Sequence, residues 1–290
     1  MFGNLPDFII IGAMKSATST LHEQLRLQPG IFMSTPKEPN FFSDDPVYTQ
    51  GMGWYEELFA DANDDDLKGE SSTHYTKLPT YPHTIERMQK AGVSPKFIYV
   101  MRHPLDRLIS HYIHEWTQGV IKTDIVSALK SHPELLQYGQ YTKQLEPYFD
   151  AFGRKSVLPV FFDRLRTEPQ AELERICRFI GYSGTPQWYT DLKPTNVSRE
   201  RIRRFPLDNL LIYSAPATWL RRMLFPKALR NRIRDRLTMR KRPQLPASVR
   251  SSVEAVFDED LEMLGDWLGV ELNCQNFSEV TRNIGLEWRV

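Results

Sequence analysis

The chain has 290 residues, 41% hydrophobic and 25% charged, the make-up of a soluble globular protein with room for one large core or two smaller ones. Its 37 Lys plus Arg stand against 36 Asp plus Glu, so a net charge of +1 gives no case for a nucleic-acid binder or a polyacidic partner, and any basic site must be local. Two cysteines, Cys177 and Cys274, lie far apart without CxxC spacing, which argues against a disulfide framework or a zinc site and fits a reducing compartment.

The first residues, MFGNLPDFIIIGAM, have no basic stretch leading into a long apolar one. No run approaches the ~18 apolar residues that span a bilayer, so the expected location is the cytoplasm, with no transmembrane segment. Phe8 to Ile11 is a continuous apolar run ending at Gly12, and Thr20 to Leu27 reads as a helix broken at Pro29 and Gly30. KFIYVM, Lys96 to Met101, is a second strand that stops at Arg102, His103 and Pro104, and a helix follows over Asp106 to Trp116. Thr123 to Asp150 is helical and polar. Its Tyr138, Tyr141, Tyr148 and Phe149 can line a cleft for a substrate, although aromatics at such spacing are more often core. SVLPVFF, Ser156 to Phe162, is a third strand, and the helix after it, Pro169 to Ile180, has Leu173, Ile176, Cys177 and Ile180 on one face. Trp219 to Arg242 is strongly basic, with Asp235 its sole acid; it reads as a cationic helix for peripheral contact with anionic lipid, or as a solvated helical face. The last helix, about Pro246 to Leu268, places Val249, Val253, Val256, Phe257, Leu261 and Leu264 at helical spacing and is expected to pack on the sheet.

Apolar strands alternating with helices predict an α/β fold, P-loop-like, with three layers and a central parallel sheet flanked by helices, as a single domain over residues 1–290 with a basic helical segment at about 219–243. Ligands of such sheets bind at the carboxyl ends of the strands. After the first strand comes GAMKSATSTL, a small-residue loop with one lysine and several hydroxyls opening a helix. Its backbone N–H groups, the helix N-terminus and the hydroxyls together suit a phosphate. It is not a Walker A loop, since Lys15 comes early and is followed by Ser16 and Ala17; the plainer alternative is a tight turn with an exposed lysine. After the second strand, Arg102 can form bidentate bonds to a phosphate, and Ser110 lies about two helical turns on. Two phosphate positions then flank one crevice, which suits a nucleotide with phosphates at both ends of its ribose. Arginine also stands where a P-loop NTPase places a magnesium-binding aspartate.

The segments PDFIIIGAMKSATSTLHEQL, PKEPNFF, GESSTHY, KFIYVMRHPLDRLISHY and VLPVFFDRL…ERICRFIGY, in this order, resemble the family of sulfotransferases that use 3′-phosphoadenosine-5′-phosphosulfate (PAPS), particularly its heparan-sulfate and bacterial branch. The resemblance covers most of the chain. It implies that Lys15, Ser16, Ala17, Thr18, Ser19 and Thr20 bind the 5′-phosphosulfate, and that Arg102 and Ser110 bind the 3′-phosphate. A basic loop that closes over the nucleotide resembles NVSRERIRRFP, which makes Arg199 and Arg201 candidates. Glu38 takes the place of the catalytic base in a KEPHFF-like stretch, with His74 as rival base; His103 reads as structural. Two departures stand out: Asn40 where the family often has histidine, and Ser71 where the heparan enzymes have lysine.

The implied reaction is in-line transfer of a sulfuryl group from PAPS to a hydroxyl or amine of a carbohydrate or small metabolite, leaving PAP. No metal is expected, since the histidines show no HExxH spacing. The alternatives are a P-loop-type small-molecule kinase, which needs ATP and magnesium, and a non-catalytic nucleotide-binding or membrane-peripheral protein. Oligomeric state is not legible in the pattern.

Overall fold

The computed structural model describes residues 4–192, 201–202, 238–239, 241–283 and 285–289. The chain runs through β1 (Phe8–Gly12), α1 (Thr18–Arg26), β2 (Ile31–Met33), α2 (Asp45–Tyr48), α3 (Met52–Glu57), β3 (Leu67–Ser71) and a 3-10 turn at Thr73–Thr76. Next come α4 (Thr84–Lys90), β4 (Lys96–Met101), α5 (Pro104–Thr117), α6 (Ile125–Ser131), α7 (Glu134–Gln137), α8 (Tyr141–Phe152), β5 (Val157–Phe161), α9 (Phe162–Thr167) and α10 (Pro169–Ile180). A two-stranded pair, β6 (Arg201–Ile202) with β7 (Thr238–Met239), precedes α11 (Ala247–Leu268) and α12 (Phe277–Asn283). The first five strands form an all-parallel sheet in the order β2–β3–β1–β4–β5.

The apolar runs become central strands because successive side chains point to opposite faces and both faces are covered. Ile9, Ile11, Phe97, Tyr99 and Met101 enter one core with residues of α5, α8 and α11. Phe8, Ile10, Ile98 and Val100 enter the other with Leu21 and Leu25 of α1 and the predicted apolar face of α10. The expected α/β three-layer architecture with a parallel sheet is therefore present. Three of its five strands were expected; β2 and β3 were not. The last helix differs as well, because α11 packs chiefly on α8 and α5 rather than on the sheet, and Val256 is exposed. The tract from Thr123 to Asp150 is three helices, and Tyr138, Tyr141 and Tyr148 are core residues. Most of the basic segment 219–243 lies outside the described residues; within it, Arg242 pairs with Asp106 at the start of α5. No described helix is long and apolar enough to cross a membrane.

β5 is an edge strand with Pro159 at its middle. Its outer carbonyls are taken up by side chains: Arg175 Nη2 donates to Pro159 O at 2.5 Å, and Trp288 Nε1 donates to Val157 O at 2.7 Å. Arg175 also donates to Leu286 O, so residues 285–289 lie along that edge.

Gly12 closes β1 where only a residue without Cβ fits. Its φ is +152°, and an added Cβ would sit 2.1 Å from Thr76 Oγ1, a hydroxyl committed to Ile11 O. Gly12→Ala is expected to lower stability by about 1–3 kcal/mol, read as a lower denaturant midpoint with an unchanged slope.

Candidate active site

Because β1 has β3 on one side and β4 on the other, chain segments leaving these three strands diverge and open a crevice at their carboxyl ends. The loop after β1 is folded down by Ala13 N–H donating to Val100 O (2.9 Å) and Ser16 N–H to Ala13 O (3.2 Å). Lys15 and Ala17 both take φ of 69°. The helix α1 starts at Thr18, two residues earlier than expected, and no side chain caps it. Its first-turn amides are thus left as donors with the helix dipole behind them. Ala17, Thr18, Ser19 and Thr20 line the crevice, whereas the Ser16 side chain is fully buried and its hydroxyl has no hydrogen-bond partner among the described residues.

Arg102 sits at the tip of β4. Its Nη1 donates to Lys15 O (3.2 Å), the guanidinium covers the Phe162 ring at 4.6 Å, and its Nε is buried without a partner among the described residues. Tyr141 fixes the backbone there, its hydroxyl accepting from Arg102 N–H and donating to Arg102 O. Pro104 opens α5, whose buried Leu105, Leu108, Ile109 and Tyr112 hold it down while Ser110 turns to the crevice. His103 is bonded to Cys274 O (2.7 Å), a structural role as expected.

A single cleft of about 440 Å³ collects Lys15, Ala17 to Thr20, Glu38, His74, Arg102 and Ser110. Thr73, Lys77, His114 and Phe162 line it too and were not singled out from sequence. Arg199 lies outside the described residues; Arg201 is in β6, whose backbone runs beside α5.

The loop after β2 presents Glu38 at φ 59°, anchored by its N–H to Ser71 O (2.9 Å). One carboxylate oxygen accepts from Lys37 Nζ (2.5 Å) and the other from Thr73 Oγ1 (3.2 Å). The pairing with Lys37 is real, yet the carboxylate still faces the cleft and is one-third exposed. Burial alone would raise its pKa, but Lys37, Lys77 and the Thr73 bond together hold it below the usual range, so Glu38 is ionised at neutral pH. His74 has Nδ1 against Asp44 Oδ1 (2.8 Å) and its ring stacked on Tyr81. The carboxylate favours the proton on Nδ1 and leaves Nε2 basic, while burial and Lys77 lower the pKa. Neither departure from the family pattern lines the cleft. Asn40 N–H donates to Ser72 Oγ, and Ser71 is buried with its hydroxyl on His22. Among the described residues no three His, Cys, Asp or Glu side chains form a metal set.

Beneath this wall, Glu70 of β3 is fully buried, accepts from Tyr55 OH at 2.5 Å, and is pushed up by burial to a pKa of about 7. A carboxyl whose folded pKa lies above its unfolded value of about 4.3 binds its proton more tightly when folded. Stability is then expected to fall as pH rises from about 4.5 to 7, by on the order of 3 kcal/mol, and to level off above. Glu70→Gln should remove that slope in urea titrations at pH 5 and pH 8.

The family model described as Sulfotransferase domain matches residues 5–265. The chain belongs to the sulfotransferase domain family. Among similar sulfotransferases, heparan sulfate glucosamine 3-O-sulfotransferase 3A1 of Mus musculus is 32% identical over 190 residues, 61% of this chain and 46% of that protein. The bifunctional heparan sulfate N-deacetylase/N-sulfotransferase 2 of Homo sapiens is 28% identical over 198 residues, 61% of this chain and 22% of that one. The chain thus spans about half the length, or less, of these curated relatives. A sulfotransferase structure from Alicyclobacillus acidocaldarius superposes with a TM-score of 0.65 at 21% identity, covering 92% of this chain and 97% of that one, which establishes the shared fold.

Proposed function

We propose that this sulfotransferase-domain protein moves a sulfuryl group from PAPS to a hydroxyl or amine of a carbohydrate or small metabolite and releases PAP. The observation that carries the reading is the convergence in one cleft of an uncapped helix start, Lys15, Arg102 and Ser110 with an ionised carboxylate, Glu38. The buried, unpartnered Nε of Arg102, a residue of the cleft wall, is a donor that suits anionic oxygens. A second cavity, of about 290 Å³, adjoins the cleft through Ala17, Thr20 and Phe162 and adds Leu21, Leu165 and Trp188, a lining suited to a purine ring.

In this reading the α1 amides and the hydroxyls of Thr18, Ser19 and Thr20 hold the 5′-phosphate, Ser16 being turned inward from the cleft, and Arg102 and Ser110 hold the 3′-phosphate. Glu38 takes the acceptor proton as the acceptor oxygen or nitrogen bonds to sulfur. The bond from sulfur to the bridging oxygen breaks in line, and Lys15 neutralises the charge left on the 5′-phosphate of PAP. The relatives named for heparan sulfate support a carbohydrate acceptor. The free, buried thiols of Cys177 and Cys274 support a reducing compartment such as the cytoplasm.

Isothermal titration tests the nucleotide class. PAP is expected to bind, ATP with magnesium is not, and Arg102→Ala should weaken PAP about 10- to 100-fold through loss of charged hydrogen bonds. Binding of ATP with magnesium but not of PAP would replace this reading with a kinase.

A further inference from the structure

The cleft holds a second lysine. Lys77 follows the turn at Thr73–Thr76 and lines the same cavity as Lys15, Glu38 and His74, its ammonium 5.9 Å from the centroid of the Tyr138 ring. Among the described residues it forms no ion pair. The charged and titratable groups facing it are Glu38 after β2, Asp44 before α2, His74 beside it, and Arg107, His111, His114 and Glu115 of α5. Burial outweighs these carboxylates and draws its pKa down to about 8. An ammonium held in a crevice without an ion pair is costly unless a ligand supplies the anion.

The proposed reaction creates that need. It brings an anionic sulfonate up to an acceptor beside an anionic carboxylate, and two like charges at close range in a crevice repel. Lys77 is near enough to Glu38 to stabilise its ionised form, so its charge sits on the side where the two anions meet. We infer that Lys77 binds the sulfonate oxygens of PAPS on the Glu38 side of the cleft, offsetting the repulsion between the migrating sulfonate and the base. The inference rests on the reading of the cleft as a PAPS site. Lys77 then complements Lys15, which attends the 5′-phosphate that PAP and PAPS share.

PAP lacks the sulfonate, and that separates the two roles. Isothermal titration of the intact protein with PAP and with PAPS, at pH 7 and pH 9, compares wild type with Lys77→Met and Lys77→Arg. Lys77→Met is expected to weaken PAPS about 10-fold or more, as for a lost charged hydrogen bond, and to leave PAP unchanged, while Lys77→Arg keeps both. Raising the pH past 8 should erode the preference for PAPS over PAP in wild type and spare it in Lys77→Arg, whose charge persists. If Lys77→Met weakens PAP and PAPS equally, or weakens neither, the inference fails. Should Lys77→Met not fold, the pH comparison between wild type and Lys77→Arg decides it. Failure of wild type to bind PAP at all would instead sink the PAPS reading of the cleft.

Discussion

Glu38→Gln is expected to slow sulfuryl transfer about 10²- to 10⁴-fold while PAP binds as before. The amide keeps the shape and can still accept from Thr73, but it cannot take a proton. The nucleotide contacts come from other segments, the α1 start, the tip of β4 and the middle of α5, so they have no reason to move. The pH profile adds an independent reading. Lys37, Lys77 and Thr73 overcome the effect of burial and hold Glu38 below the ordinary carboxylate range. A Glu38 base is therefore active from low pH upward, and the acid limb of the rate lies below that range. Transfer that survives in Glu38→Gln, with an acid limb that moves when His74 is replaced by asparagine, would transfer the role to the His74–Asp44 pair.

Lys15→Ala is expected to reduce turnover about 10²- to 10³-fold, the scale of losing one donor aimed at developing charge. The loss should fall on turnover far more than on PAPS affinity, because the charge on the bridging oxygen grows only as the bond to sulfur breaks. Turnover can be followed as PAP formed from PAPS, with slow transfer to water serving where no acceptor is supplied. An equal loss in PAPS affinity and in turnover would make Lys15 a binding residue only.

How much of this was readable beforehand depends on burial. β1, β4 and β5 announce themselves because each is apolar on both faces, which only a covered parallel sheet allows. β2 has three residues, too few for a pattern, and β3 reads LKGES, with a lysine, a glutamate and a serine. Its Glu70 is buried against Tyr55, which reaches the carboxylate from a separate helix, a contact no local pattern encodes. The same holds for the cleft. Residues just after strands 1 and 4 were found from position alone, whereas Lys77 arrives by way of a 3-10 turn and His114 by the rotation of α5. Ser16 looked equivalent to its neighbours in sequence, yet the left-handed residues on either side of it turn its side chain inward.

All five strands of the sheet lie within the first 161 residues, but the groups that seal its outer edge come from later in the chain, Arg175 and Trp288. During synthesis the sheet can therefore assemble while the carbonyls of Val157 and Pro159 and the face awaiting α11 are still open to other molecules. A ribosome stalled once β5 has cleared the exit tunnel, but before Trp288 is added, would display a parallel sheet with an unsealed border. Such a chain has reason to recruit chaperones or to associate with its own copies, and docking of residues 285–289 ends that exposure.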